Sequence, residues 1–262
     1  MAVEVREGRK SFGIVEHLPT TSAFDTGASS RERGVVSAGE RRTQRTRRAS
    51  DARFDRGTIA RWIGACADEI GANRDYLTQL DAATGDADHG VNMDRGFTAA
   101  VTVLGAASEL PPGDLLAEVG STIVLRVGGA AGPLYGTAFR EMGAALGDRD
   151  RFGLAELTDA LAAGLDGIVK LGAAVEGDKT MVDAWVPAVD ALRSDGKRDL
   201  AGTLRQARIA AEAGATRTIP MQARKGRASY LGPRSVGHQD PGATSTALLF
   251  AALERAVEAE ER

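Results

Sequence analysis

The helical character of this chain is set by residues 57–80, which read GTIARWIGACADEIGANRDYLTQL. Apolar side chains recur there mostly at every third or fourth position, among them Ile59, Trp62, Ile63 and Cys66. Because an α-helix turns once in about 3.6 residues, that interval places them on one face of a helix. The stretch therefore predicts an amphipathic helix whose apolar face packs into a core.

The same period continues along the chain. Further helices are predicted near residues 91–104, 113–127, 134–146, 154–175, 180–194, 199–215 and 243–260, which makes eight with the first. The alternating pattern of a half-buried strand is not found between them. Aromatic residues make up only 5% of the chain while alanine and glycine are abundant, which favours closely packed helices over a β-sandwich. We therefore expect an all-α fold.

The N-terminal part of the sequence differs from the rest. It shows little apolar periodicity and contains an arginine-rich stretch, RRTQRTRR, at residues 41–48. Such a composition buries too little apolar surface to offset the entropy lost on ordering. We interpret residues 1–54 as a disordered basic extension and residues 55–262 as one helical domain. The arginines suit either contact with nucleic acid or a partner, or a solvated extension, which we favour.

Composition excludes several other classes. The net charge of −3 offers no field that would attract nucleic acid. The single cysteine, Cys66, excludes an internal disulfide framework and a cysteine-based zinc site, and its place on an apolar stripe predicts a buried structural thiol. An apolar run of about 18 residues, long enough for a membrane span, is absent from the sequence. With no signal-peptide core near Met1, we expect a cytoplasmic protein.

Three carboxylates lie close together in residues 81–93, which read DAATGDADHGVNM. Asp81, Asp86 and Asp88 would repel one another unless a cation lay among them. Hard oxygen ligands with no cysteine nearby indicate Mg²⁺ or Ca²⁺. The glutamate that completes an EF-hand calcium loop is replaced by Asn92, so we favour Mg²⁺. The alternative is a solvated acidic loop with a helix-capping aspartate.

Glycine-rich and basic segments accompany the carboxylates. Residues 128–133, GGAAGP, open directly onto a predicted helix, whose first N–H groups suit an anion. They match neither a P-loop nor a dinucleotide-binding fingerprint. Residues 225–232 and 237–243 form a long polar connection with several basic groups, and long ordered loops are often functional. Together these features predict nucleotide or phosphoryl binding.

At these residues the chain resembles the ADP-binding L subunits of bacterial dihydroxyacetone kinases, which are equivalent to the Dak2-type nucleotide domains of single-chain kinases. The resemblance rests on five ordered segments, which are 85–90 (GDADHG), 129–136 (GAAGPLYG), 177–180 (GDKT), 226–232 (GRASYLG) and 237–242 (GHQDPG). It covers about residues 57–262. It implies a closed barrel or bundle of eight antiparallel helices, with the nucleotide site at one end.

The resemblance also implies roles for individual residues. Two Mg²⁺ ions would be bound by Asp81, Asp86 and Asp88. The residues implied to bind ADP or ATP are His89, Asn92, Ala130, Ala131, Gly172, Met181, Arg227, Asp240, Pro241 and Gly242. Of these, His89 and Arg227 would take part in phosphoryl transfer. In the segment 177–181, the residue that binds the nucleotide would be Met181 rather than Lys179.

Two positions depart from the family pattern. Ala131 stands where a serine is common, and Pro233 stands where an acidic residue is usual. If that serine contributes only its backbone N–H, alanine preserves the contact. If its hydroxyl also holds a phosphate, a hydrogen bond on the order of 1 kcal/mol is lost.

The resemblance further implies that this subunit does not carry the sugar. Dihydroxyacetone would be held by a separate K subunit, so the chain alone should lack kinase activity. We favour a phosphoenolpyruvate-dependent mode, in which bound ADP is rephosphorylated by a phosphohistidine protein of the phosphotransferase system. The alternatives are an ATP-dependent kinase for erythrulose, another ketose or a fatty acid, and an ADP-bound regulatory protein. A homodimer is left open, and neither a membrane nor nucleic acid is expected as a partner.

Overall fold

The computed structural model of the chain describes residues 53–106, 109–194 and 199–259. Nine α-helices lie within these ranges, and they are α1 Arg56–Ala72, α2 Arg74–Thr84, α3 His89–Ala106, α4 Pro112–Arg126, α5 Ala131–Leu146, α6 Leu154–Gly172, α7 Val182–Ser194, α8 Leu200–Arg217 and α9 Pro241–Glu258. A 3₁₀ helix spans Arg227–Ser235. Two short antiparallel strands, β1 Phe54–Asp55 and β2 Arg151–Phe152, pair in register Phe54 with Phe152. The predicted all-α class is confirmed, while residues 1–52 of the predicted extension lie outside the described residues.

One predicted helix is two helices in the structure. The periodic stretch at residues 57–80 breaks at Asn73, whose side-chain amide donates to the carbonyl of Glu69 at 2.9 Å and ends α1. The described part of the chain therefore has nine α-helices where eight were predicted. The predicted start of α5 at residue 134 was three residues late, since the helix begins at Ala131. Pro133 fits in its first turn because the N–H groups of a first turn have no partner within the helix, so a residue without an N–H loses no hydrogen bond.

The helical domain begins with a capping box at Asp55. The Asp55 carboxylate accepts from the Thr58 N–H at 3.1 Å, and the Thr58 hydroxyl accepts from the Asp55 N–H at 3.3 Å. Both bonds satisfy donors that a helix start leaves unpaired. Phe54, which the sequence analysis assigned to the extension, is buried and pairs with Phe152, and the domain limits stay a prediction.

The helices follow one another around the molecule. Helix α1 packs on α3, each helix from α3 to α8 packs on the next one along the chain, and α9 packs on both α8 and α1. Helix α2 lies against α3. Small residues bring α4 and α5 close: a Cβ at Gly120 would lie 2.6 Å from the carbonyl oxygen of Gly136. This order of neighbours is the one that a barrel requires, and closure of the barrel stays a prediction.

Aromatic side chains fill the core between these helices. Trp62 and Phe97 each pack on Phe139, with ring centroids 5.7 Å and 6.1 Å apart. The indole N–H of Trp185 donates to the carbonyl of Leu161 at 3.0 Å, so its one polar atom is satisfied. Cys66 is buried among these residues, as predicted, and burial raises the pKa of its thiol. Across the described part of the chain, every helix is too short or too polar to cross a bilayer.

Candidate functional site

All but one of the predicted site residues line a single cavity of about 280 Å³. The cavity lies where the turn between α2 and α3, the start of α5, the end of α6 and the start of α9 meet. Residues 225–228, at the start of the 3₁₀ helix, form a further wall. Segments far apart in the sequence therefore meet at one cavity, and of the predicted site residues Asn92 does not line it. Their binding of a nucleotide stays a prediction.

The acidic turn between α2 and α3 is held by Asp81. One oxygen of its carboxylate accepts from the N–H of Asp88 at 2.9 Å and from the N–H of His89 at 3.1 Å. Asp81 thus caps α3 from the neighbouring helix. The turn tolerates little else, because a Cβ at Gly85 would lie 2.1 Å from the Asp81 carboxylate, and Ala87 adopts a left-handed φ of 62°.

The three carboxylates form a cluster that suits a divalent cation. One ligand oxygen from each of Asp81, Asp86 and Asp88 lies within 4.8 Å of the other two. Capping uses only one oxygen of Asp81, so the predicted capping role and a metal role are compatible. Mg²⁺ commonly takes few protein ligands and completes its shell with water and phosphate, so this donor set fits it. Arg227 forms an ion pair with Asp86 and offsets part of the negative charge.

A glycine allows α3 to start against α2. A Cβ at Gly90 would lie 2.0 Å from the carbonyl oxygen of Arg74 and 2.5 Å from the hydroxyl of Thr78. The Arg74 carbonyl is backbone in the first turn of α2, so it cannot move away without shifting the helix. The distance between Asp81, on α2, and Asp88, just before α3, therefore depends on the absence of a side chain at Gly90.

The start of α5 offers uncapped N–H groups to the cavity. Its N-cap residue, Ala130, makes no side-chain capping bond, and the preceding Gly129 has a φ of +65°. Ala130 and Ala131 both line the cavity, so the free N–H groups and the positive end of the helix dipole suit an anion there.

Asn92 lies behind this helix start. A Cβ at Gly128 would come within 2.9 Å of its amide nitrogen, so the glycine makes room for it. The amide oxygen of Asn92 accepts from the Arg95 guanidinium at 2.7 Å, and the residue is buried. Asn92 does not line the cavity, and its contact with a nucleotide stays a prediction.

His89 connects the acidic turn to the start of α9. Its Nε2 lies 3.0 Å from the Ser245 hydroxyl, which in turn lies 2.8 Å from the hydroxyl of Tyr135. Tyr135 also donates to or accepts from Thr246 at 2.7 Å. Burial lowers the pKa of His89, while the carboxylates of Asp81 and Asp88 and a hydrogen bond with the Pro241 backbone raise it. Sequence reasoning missed this chain of hydroxyls; Tyr135 lies in the segment 129–136, but Ser245 carries no signal of its own.

Part of the cavity lining is apolar. Met181, Leu134 and Ile168 contribute to it beside Gly172, and of these the sequence singled out only Gly172 and Met181. A Cβ at Gly172 would lie 3.1 Å from the Leu134 side chain, so the glycine leaves space at this end. A lining that contains both apolar residues and a carboxylate cluster able to hold a cation suits a ligand with a flat apolar ring and an anionic tail.

Two further segments complete the walls. Arg227 begins the 3₁₀ helix and reaches Asp86 across the cavity. Asp240 caps α9 by accepting from the Ala243 N–H at 2.7 Å, and Pro241 and Gly242 follow it along the wall. Asp240 is buried, and burial, together with the nearby Asp183 carboxylate, raises its pKa to about 7 against the opposing effect of the Ala243 N–H.

Comparison with known proteins identifies the architecture. The DAK2 domain family matches residues 83–255. Over 202 residues, the chain is 46% identical to the ADP-binding subunit DhaL of the PEP-dependent dihydroxyacetone kinase of Escherichia coli, covering 76% of this chain and 96% of that protein. It is 42% identical to the corresponding subunit of kinase 1 of Listeria innocua, with the same coverage of both chains.

Longer kinases share only part of their length with this chain. An L-erythrulose 1-kinase of Mycolicibacterium smegmatis is 38% identical over 72% of this chain, which spans 33% of that protein. The crystal structure of the dihydroxyacetone kinase from C. freundii in complex with AMP-PNP and Mg²⁺ superposes with a TM-score of 0.58 at 27% identity, over 92% of this chain and 38% of that one. The helical fold, the site and the family match agree, and this chain belongs to the DAK2 domain family.

Proposed function

We propose that this chain is the nucleotide-binding phosphotransferase subunit of a dihydroxyacetone kinase. It holds ADP or ATP with two Mg²⁺ ions and passes the γ-phosphoryl group to dihydroxyacetone on a separate K subunit. The observation that carries the proposal is the cluster of Asp81, Asp86 and Asp88, with oxygens within 4.8 Å, facing the same cavity as the uncapped start of α5. The similarity to DhaL subunits extends over 96% of their length, whereas it extends over only 33% of the L-erythrulose 1-kinase, which supports this function over that of the longer kinases.

Each wall of the cavity has a part in holding the nucleotide. The three carboxylates would bind Mg²⁺, which when bound neutralises phosphate charge. The N–H groups at Ala130 and Ala131 would receive phosphate oxygens. The apolar side would take the adenine ring, and the start of α9 would close against the nucleotide.

Phosphoryl transfer needs positioning and charge neutralisation more than covalent chemistry from the protein. Arg227 brings a positive charge to the site, since it is exposed and forms an ion pair with Asp86. We assign to it the stabilisation of charge on the transferred group. His89 lines the cavity with its Nε2 3.0 Å from the Ser245 hydroxyl, and we assign to it a position against the phosphates.

The donor distinguishes two versions of this function. We favour the relay in which phosphoenolpyruvate, acting through a phosphohistidine protein of the phosphotransferase system, rephosphorylates ADP that stays bound. Since that relay operates in the cytoplasm, the proposal places the chain there. The domain limits 55–262 belong to the same proposal and are supported by the cap at Asp55 and the family match at 83–255.

Reconstitution tests the proposal. The chain is mixed with a dihydroxyacetone-binding K subunit and supplied either with phosphoenolpyruvate and the phosphotransferase proteins or with ATP, and triose phosphate is measured. We expect product from the relay, none when either subunit is omitted, and none with Asp86→Asn/Asp88→Asn. Product from ATP alone would contradict the relay, and no product from either donor would leave the ADP-bound regulator as the better account.

A further inference from the structure

We propose that Lys179 is a positioning residue that anchors the closing loop, defined as residues 218–240, over the nucleotide cavity. The closing loop carries Arg227 and ends at Asp240, both of which line the cavity. The effect on nucleotide binding rests on the proposed function, whereas the anchoring itself does not.

The Lys179 ammonium joins both ends of the closing loop. Its side chain is almost fully buried, with a relative exposure of 1%. Its Nζ donates to the carbonyl of Thr218 at 2.8 Å, to that of Met221 at 3.2 Å and to that of His238. Thr218 begins the closing loop and His238 lies two residues before its end, so one cation joins the two ends of the segment between them.

Backbone bonds at the same place make the base of the closing loop narrow. The Gly237 N–H donates to the Ile219 carbonyl at 2.8 Å, and the Asp240 N–H donates to the Thr218 hydroxyl at 2.9 Å. Gly237 has a φ of +92°, which an L side chain rarely adopts. The two ends of the closing loop are therefore hydrogen-bonded to each other, and Lys179 donates to both.

The ammonium satisfies groups that no neutral side chain could satisfy at once. An ammonium has three donors and no acceptor, and here three carbonyls receive them. Burial lowers the pKa of Lys179, while the carboxylates of Asp240 and Asp183 raise it. Lys179 also has a left-handed φ of 63°, a conformation that persists in a non-glycine residue when its surroundings over-determine it.

Loss of this anchor should act through Arg227. The Arg227 guanidinium reaches Asp86 from the closing loop, whose 3₁₀ helix contacts α2 and whose Arg224 N–H donates to the Asp178 carbonyl at 3.0 Å. We infer that Lys179, by holding both ends of the loop, keeps this 3₁₀ helix in place beside the acidic turn. We therefore expect Lys179→Met, which keeps the length of the side chain but removes its donors, to weaken ADP binding in the presence of Mg²⁺ by at least tenfold. A double-mutant cycle with Arg227→Met separates positioning from general stability.

The cycle has two outcomes. If Lys179 positions Arg227, the double variant binds ADP much more tightly than the product of the two single effects predicts, by at least fivefold. If the two effects simply multiply, the proposal is wrong. Folding is checked in parallel by circular dichroism and thermal midpoint.

Trypsin digestion of the nucleotide-free protein tests the anchor independently of nucleotide binding. The closing loop contains cleavage sites at Arg224, Lys225, Arg227 and Arg234. We expect these sites to be cut at least tenfold faster in Lys179→Met than in the wild type, with the helices uncut. Equal cleavage would overturn the anchor. A wild type that resists trypsin in its loop but does not bind ADP would instead count against the proposed function alone.

A second variant covers the case in which Lys179→Met does not fold. Gly237→Ala strains the loop base through backbone conformation alone, since an added Cβ meets nothing within 4 Å. It should also speed cleavage of the closing loop and weaken ADP binding. Unchanged cleavage and affinity in Gly237→Ala would contradict a role for the loop base in positioning.

Discussion

Gly90→Ala tests whether the close approach of α2 and α3 builds the acidic cluster. The added Cβ would lie 2.0 Å from the Arg74 carbonyl oxygen and 2.9 Å from the Thr78 nitrogen, both of which are backbone atoms. Overpacking costs about 1–3 kcal/mol, and alanine in a helix returns at most about 1 kcal/mol. Because backbone must move, we expect a net loss of about 1–2 kcal/mol in the free energy of unfolding.

The same displacement should reach the ligand site. If α3 moves away from α2, the oxygens of Asp88 and Asp81 separate, so ADP affinity in the presence of Mg²⁺ should fall about tenfold or more, which corresponds to about 1.4 kcal/mol. Gly64→Ala, in α1, is the matched control, since its Cβ meets nothing within 4 Å and should stabilise the helix by up to about 1 kcal/mol.

Urea unfolding and isothermal titration with MgADP measure the two effects. A Gly90→Ala protein as stable as wild type and with unchanged affinity would refute the argument from close approach. A loss of stability with unchanged affinity would refute the link between that approach and the ligand site.

Three other predictions concern charge and hydrogen bonding. Burial raises the pKa of Asp240 to about 7, so the folded state keeps a proton that the unfolded chain loses near pH 4. The free energy of unfolding should therefore fall as pH rises from about 4 to 7, by at most about 4 kcal/mol. Asp240→Asn should reduce this dependence on pH, as measured by urea unfolding at pH 5 and pH 8. Ala131→Ser adds a donor beside the phosphate position and should tighten ADP binding by about 1 kcal/mol; weaker binding in calorimetry would contradict this. Glu254→Gln removes a nearly buried charge that accepts from Arg208 at 2.5 Å and should lower the free energy of unfolding by about 1–3 kcal/mol. Glu212, the exposed second partner of Arg208, is the control, and Glu212→Gln should lower it by about 0.5 kcal/mol or less in thermal unfolding.

Much of the fold could be predicted because its helices are amphipathic. The apolar period of 3.6 residues located eight helical segments, and the motifs GDADHG and GHQDPG marked the turns that border the cavity. The break at Asn73 was missed because the apolar interval continues across it into α2. A single residue that ends one helix and begins the next leaves the period of hydrophobic residues unchanged.

The parts of the site that could not be predicted depend on tertiary contact. Leu134 and Ile168 line the cavity, yet in the sequence they look like any other core residue on a helix face. The sequence interpretation valued Met181 above Lys179, because nothing near residue 179 shows that its ammonium will meet carbonyls some 40 and 60 residues further along the chain. Charges that are satisfied by distant backbone leave no local pattern.

The nucleotide content of the purified protein shows whether the acidic cluster holds ADP through Mg²⁺. The chain is denatured, and released ADP is measured for the wild type, for Asp86→Asn/Asp88→Asn and for Asp190→Asn, an exposed carboxylate on α7 that serves as the control. We predict stoichiometric ADP in the wild type and the control, and its loss in the double variant or after chelation of Mg²⁺. A wild-type protein that is empty and also fails to bind added ADP with Mg²⁺ would contradict the account.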